Sequence, residues 1–219
     1  AHVGGLSTTQ LSGLSTTNLR ALDQTQFGQL STTQVKALSA TQIAGLQATD
    51  ISEMANTQLE ALTTTQVAAL TSTNVAMLAD TQVAALTATQ IGRLTNTVVQ
   101  ALDATQLGTL SSTQVQAFTT SQIASLTATD LDEFTTTQVG ALSAVQVRAL
   151  TTTVIDGISS NAFAAFDVTQ LAQLATTQLD HLSTTNLSAL SSTQLMSFTS
   201  TQVASLSDPQ LEAYLLGIA

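Results

Sequence analysis

The sequence predicts an all-α solenoid, a superhelix of very short helices, and three observations predict it. An eight-residue unit repeats without insertion from Leu6 to Ala213, 26 times in succession. Each unit carries the signature of a helix start. A period of eight is also incompatible with one continuous helix. Repeats are sought first, because overlooking one mis-assigns the whole fold.

The unit is plainest between Leu62 and Leu86, which reads LTTTQVAA-LTSTNVAM-LADTQVAA-L. Its consensus is an apolar residue (mostly Leu), Ser or Thr, any residue, Thr, Gln, Val/Ile/Leu, any residue, then a small residue. Ser, Thr or Asp fills position 2 in 22 of the 26 octads; Gln fills position 5 in 18, Asn in three and Asp in two. Ser/Thr-x-x-Gln is a capping box, in which the hydroxyl accepts from the third helical N–H and the Gln reaches back to the N–H of the cap. The apolar residues at positions 1 and 6 then sit as a hydrophobic staple around that start.

The helix must also stop within its octad. Eight residues turn an α-helix by about 800°, so an apolar pair drifts about 80° per repeat and forms no stripe. One helix of about five to seven residues per octad is expected, and pieces so short persist only by stacking on neighbours. Thr and Val favour strands, but the octad lacks strict alternation and the turn residues that short strands require. Ala, Leu and Gln at the other positions favour helix.

A second period sets the expected coil. Position 1 departs from Leu at Met54, Phe118, Phe134, Ile158, Phe166, Phe198 and Tyr214, and all but Ile158 fall in odd-numbered octads. Position 7 is small in many odd octads (Gly28, Ala44, Gly92, Gly108, Gly140), whereas Arg20, Lys36 and Arg148 occupy it in even ones. The expected coil is therefore 16 residues, two helices per coil. Small residues would mark close approach of coils, and long polar ones a face towards water. Coils of this kind stacked at helix–helix distance give a rod of about 100–130 Å.

In chain order, residues 1–5 (AHVGG) read as a leader or cloning remnant in which His2 carries no meaning. Residues 6–213 read as a single solenoid and 214–219 (YLLGIA) as a truncated last unit, apolar and uncapped. The bare end and the lack of an initiator Met point to a piece of a longer chain, with neighbouring domains as partners. The cap is replaced at Gln47, Ala55, Ala79 and Ala175, and position 5 is apolar at Val98, Val154 and Ala162. Ala162 belongs to the most divergent unit, ISSNAFAA, expected to be a local defect or bend. Pro209 falls at the second helical residue of its octad, where proline is tolerated.

Charged residues make up only 8% of the chain, against about 25% in ordinary domains, so the expected surface is neutral Thr, Ser, Gln and Ala. Fourteen acidic and four basic residues give a net charge of −10. Four scattered cations cannot replace phosphate counterions, which excludes nucleic acid as a partner. No apolar run approaches the length of a membrane span. Cysteine is absent, so disulfides and thiolate metal sites are unavailable. Acidity with almost no Lys points to an extracellular location.

Two acidic groups recur at matching places: Asp50 with Glu53, and Asp130 with Asp132 and Glu133. One reading is a weak Ca²⁺ site, since hard cations take clustered carboxylates. The expected reading is simpler: Asp near a helix N-terminus replaces Gln in the cap and suits the helix dipole. His181 beside Asp180 reads as a surface pair. No Gly-rich phosphate loop or nucleophile elbow occurs, so neither an enzyme nor a cofactor is expected. Thr fills position 4 in 22 of 26 octads. It reads either as a hydroxyl ladder along one side of the rod, facing polysaccharide, ice or another rod, or as first-turn support for orphan backbone groups.

The octads LTTTQVAAL, LTATQIGRL and LSSTQVQAF resemble the short Thr-Gln repeats of very large secreted bacterial surface proteins, which are adhesin-like and often associated with calcium-binding repeats. The likeness extends over essentially the whole chain. The run apolar-Ser/Thr-x-x-Gln-Val is also similar to the helix starts of transcription-activator-like effector repeats. Those units are much longer and basic, so DNA binding does not carry over. The first resemblance implies an elongated spacer or stalk at the bacterial cell surface. The alternative is a binding module whose groove or Thr ladder holds a peptide or glycan, and self-association is a further expected contact. No family binding residue maps onto this chain.

Overall fold

A computed structural model describes residues 3–219, apart from the side chain of Gln24. A 3₁₀ turn at Val3–Gly5 precedes 26 α-helices, and no strand occurs among the described residues. The helices are numbered by octad, from α1 (Thr8–Ser12) to α26 (Asp208–Ile218). All but α26 have four to six residues, slightly shorter than expected.

Position 2 is the N-cap throughout. Ser31 has extended backbone (φ −67°, ψ 158°); its Oγ accepts from the Gln34 N–H at 3.3 Å, and Gln34 Oε1 accepts from the Ser31 N–H at 2.8 Å. Where Ala79 replaces the cap, Gln82 Oε1 still accepts from the Ala79 N–H at 2.8 Å, so half the box survives. Where a helix runs to position 8, the corner is made by two successive extended residues, such as Leu62 (φ −56°, ψ 135°) and Thr63 (φ −69°, ψ 158°). No described residue has positive φ.

A helix of one turn leaves nearly all its N–H and C=O groups without an internal partner. The Gln at position 5 answers this at both of its ends. Gln66 Oε1 accepts from the Thr63 N–H at 2.8 Å, while its Nε2 donates to the carbonyls of Val35 at 2.8 Å and Leu38 at 2.6 Å. Those carbonyls lie 31 and 28 residues earlier, at the end of α4 (Thr32–Ala37) and in the corner after it. Gln42 makes the same pair to Leu11 and Leu14, Gln106 to Val75 and Leu78, and Gln202 to Leu171 and Leu174. One side chain thus closes the N-terminus of one helix and the C-terminus of a helix in the layer beneath.

Helices three octads apart pack directly: α1 on α4, α4 on α7 (Asn56–Ala61), and α7 on α10 (Asp80–Ala85). One coil therefore consumes three to four octads, and the expected 16-residue, two-helix coil is corrected. A corner of two extended residues falls short of reversing the chain, so two helices cannot close a turn. The 16-residue signal has another origin. Phe118 and Phe134 stack at 6.4 Å between ring centroids, and Phe198 and Tyr214 at 6.2 Å. Residues 16 apart are partners inside one coil, not successive layers.

Positions 1 and 6 form the core. Leu38, Leu62, Val67 and Val83 are all nearly inaccessible to water, as are most of their counterparts away from the first and last octads. Each such side chain contributes about 1.5–3 kcal/mol on burial. Close approach of layers is seen at two position-8 glycines, Gly45 and Gly157, and not at the position-7 glycine Gly28. A Cβ on Gly45 would lie 2.6 Å from Thr16 Cγ2, and one on Gly157 3.0 Å from Ala128 Cβ, whereas one on Gly28 would meet nothing within 4 Å.

The fold divides into two compact units, Ala1–Leu110 and Ser111–Ala219, each built on this contact pattern. In the first, Gln34 Nε2 donates to the carbonyls of Gly4 at 3.1 Å and Leu6 at 2.8 Å, so the Val3–Gly5 turn occupies the place of a preceding octad's tail. In the second, α26 runs 11 residues through position 214 without a corner. Leu215, standing where a cap belongs, has no oxygen to accept from the backbone. Pro209 takes the second place of α26, as expected. Among the described residues no helix is long and apolar enough to cross a membrane.

Glutamate at position 5 would preserve the cap while removing the interlayer donor. Gln66→Glu is expected to cost about 2–4 kcal/mol in urea unfolding, because two buried carbonyls lose their partner and face a carboxylate. Gln10→Glu, at an exposed site, is expected to change stability by less than about 0.5 kcal/mol. Equal effects at the two positions would show that capping alone accounts for the Gln.

Candidate functional site

The acidic residues singled out from the sequence stand where the Gln system is modified. Asp50 is the third residue of α6 (Ala48–Ser52), only 7% exposed, and its Oδ2 accepts from the Gln47 N–H at 2.8 Å. Asp130 does the same in α16 (Ala128–Asp132), accepting from the Thr127 N–H at 2.7 Å while Thr127 Oγ1 accepts from the Asp130 N–H. A carboxylate accepts only. Asp50 therefore serves the cap and supplies nothing to the carbonyls of Leu19 and Leu22, which a Gln in its place would reach.

Asp132 has a different task. Ala162 leaves octad 20 without a Gln, and the Ser159 N–H that a Gln would have received is taken by Asp132 Oδ1 at 3.0 Å, from 27 residues earlier. An acidic side chain in one layer caps α20 (Ser160–Ala164) in the next. Glu53 and Glu133 are half-buried residues at the C-terminal ends of α6 and α16. Among the described residues no group of three or more His, Cys, Asp or Glu side chains is placed to hold a metal ion. Asp180 and His181 are both exposed, just past α22 (Thr176–Leu179).

The position-4 residue is exposed in every octad. Because layers repeat every three octads, Thr9, Thr33, Thr57, Thr81 and Thr105 follow one another along stacked helices; so do Thr17, Thr41, Thr65 and Thr89 along another set. The hydroxyl rows lie on more than one face, which corrects the expectation of a ladder along one side. Three or more helices per coil bring the first turns of successive octads to the surface in different directions. Position 7 is likewise water-facing at Gly28 and Gly140 in odd octads and at Arg20, Lys36 and Arg148 in even ones, so the expected division into a packed and a wet set does not hold. His2 lies outside the described residues.

The donor half of the Gln side chain was missed by capping logic, although one signal for it is present. A capping box accepts Glu as readily as Gln, and the helix dipole favours Glu. Yet position 5 holds 18 Gln and no Glu. Selection of the amide over the acid means that its N–H₂ is in use. Asn, one methylene shorter, reaches less far: Asn74 Nδ2 donates to Leu46 alone, at 3.3 Å. Replacing Asp50 by Gln adds the missing donor and is expected to stabilise the chain by about 1 kcal/mol, read by thermal unfolding. A calcium-binding Asp50 would instead show a Ca²⁺-dependent melting temperature that the variant loses.

The shared chemistry of these positions is helix capping and layer stapling. No protein-family model matches the chain, and no curated protein matches it. What the geometry establishes is a repetitive all-α solenoid with periodic hydrogen bonds from Gln side chains to the backbone.

Proposed function

We propose that the chain is a structural spacer: a stalk segment of a secreted bacterial surface protein that holds neighbouring domains apart, without catalytic activity or a cofactor of its own. The observation that carries this reading is the uniformity of the array. The same buried Gln ties layer to layer at Gln42, Gln66, Gln106, Gln170 and Gln202, while the outward positions repeat small hydroxyl and methyl groups. A spacer needs mechanical continuity and an inert surface, and this design supplies both. The resemblance to Thr-Gln repeats supports the bacterial surface as its location.

A binding module is the second reading, favoured by the exposure of the position-4 residue in all octads. Regular hydroxyls could hold a glycan or a peptide by repeated weak contacts. Small-angle scattering on the isolated chain, combined with glycan and peptide arrays, separates the two. A spacer gives a radius of gyration above the globular value of about 17 Å and no array ligand. A saturable ligand whose affinity falls on Thr→Val changes along one row would replace the spacer with the binding module, and a globular radius without a ligand would remove both.

A further inference from the structure

In the second unit, two successive octads lack the interlayer amide: position 5 is Val154 in octad 19 and Ala162 in octad 20. No other adjacent pair of octads in that unit lacks both Gln and Asn there. By the spacing seen elsewhere, Val154 stands over the carbonyls of Ile123 and Leu126, and Ala162 over those of Leu131 and Phe134. Among the described residues no side-chain amide donates to these four. Above and below, the system is intact: Gln146 donates to Val115 at 3.0 Å and Phe118 at 2.8 Å, and Gln170 to Val139 at 3.0 Å and Leu142 at 2.6 Å.

We propose that the second unit is built to part first at this layer, between α16–α17 below (Ala128–Asp132 and Thr136–Ala141) and α19–α20 above (Thr152–Gly157 and Ser160–Ala164), with the Asp132–Ser159 hydrogen bond as its latch. Apolar packing remains there. Val154, Ala162 and Phe163 are buried. Such packing is non-directional and tolerates sliding, whereas the amide pairs fix one register. Where two consecutive pairs are missing, the layer keeps its adhesion and loses its pins. Asp132 restores one of them, from the opposite side of the gap. Short helices opened on one face lose their main support.

The test is amide hydrogen exchange by mass spectrometry on the full chain, corrected for intrinsic rates. Residues 151–165 are expected to exchange on the order of tenfold faster than 143–149 and 167–181. Val154→Gln, which adds a pin to a folded chain, is expected to slow 151–157 to the rate of the flanking octads. Asp132→Ala is expected to quicken 159–165 several-fold while leaving 143–149 unchanged. Uniform exchange from 143 to 181, or no response of the segment to Val154→Gln, would overturn the proposal.

Discussion

The fold depends on a primary amide that is used at both ends. A helix of four to six residues cannot satisfy itself, and a stack of such helices would bury rows of unpaired N–H and C=O groups. The position-5 Gln spends its oxygen on the helix it belongs to and its nitrogen on the layer beneath. Leaving such groups unpaired would cost about 1–3 kcal/mol each. The amide therefore supplies much of what so short a helix lacks in a buried stack.

Adhesion and register come from different residues. The apolar pairs at positions 1 and 6 supply most of the driving force, since each buried side chain is worth about 1.5–3 kcal/mol. That force would be nearly as well satisfied by layers slipped against one another. The amide pairs, reaching 28 and 30 or 31 residues back, select one alignment. Two position-8 glycines add a local steric limit, because Gly45 lies against Thr16 and Gly157 against Ala128.

Much of this was legible in the sequence. The helix starts, the one-helix-per-octad rule, the absence of strands among the described residues and the tolerance of Pro209 all follow from chemistry confined to eight residues. The coil was not legible, because the number of helices per turn depends on the angle made by two extended corner residues, which the letters at those positions do not encode. The Phe118–Phe134 and Phe198–Tyr214 pairs misled for a physical reason: contact across the inside of a coil leaves the same periodic trace as contact between coils. In the sequence Asp132 stands as one of a cluster of acids. Its partnership with Ser159 makes sense only once Ala162 is known to sit one layer above.

The corners carry one more consequence. They contain no residue in the left-handed region and no obligatory glycine. A duplicated or deleted octad therefore brings its own complete turn with it. Each amide also counts its partner by separation along the chain alone, so any segment cut or copied in whole octads meets equivalent acceptors when it closes again. Such an array can lengthen or shorten by slippage of its coding repeats without inventing a new joint, and its reach is free to drift while its local geometry stays the same.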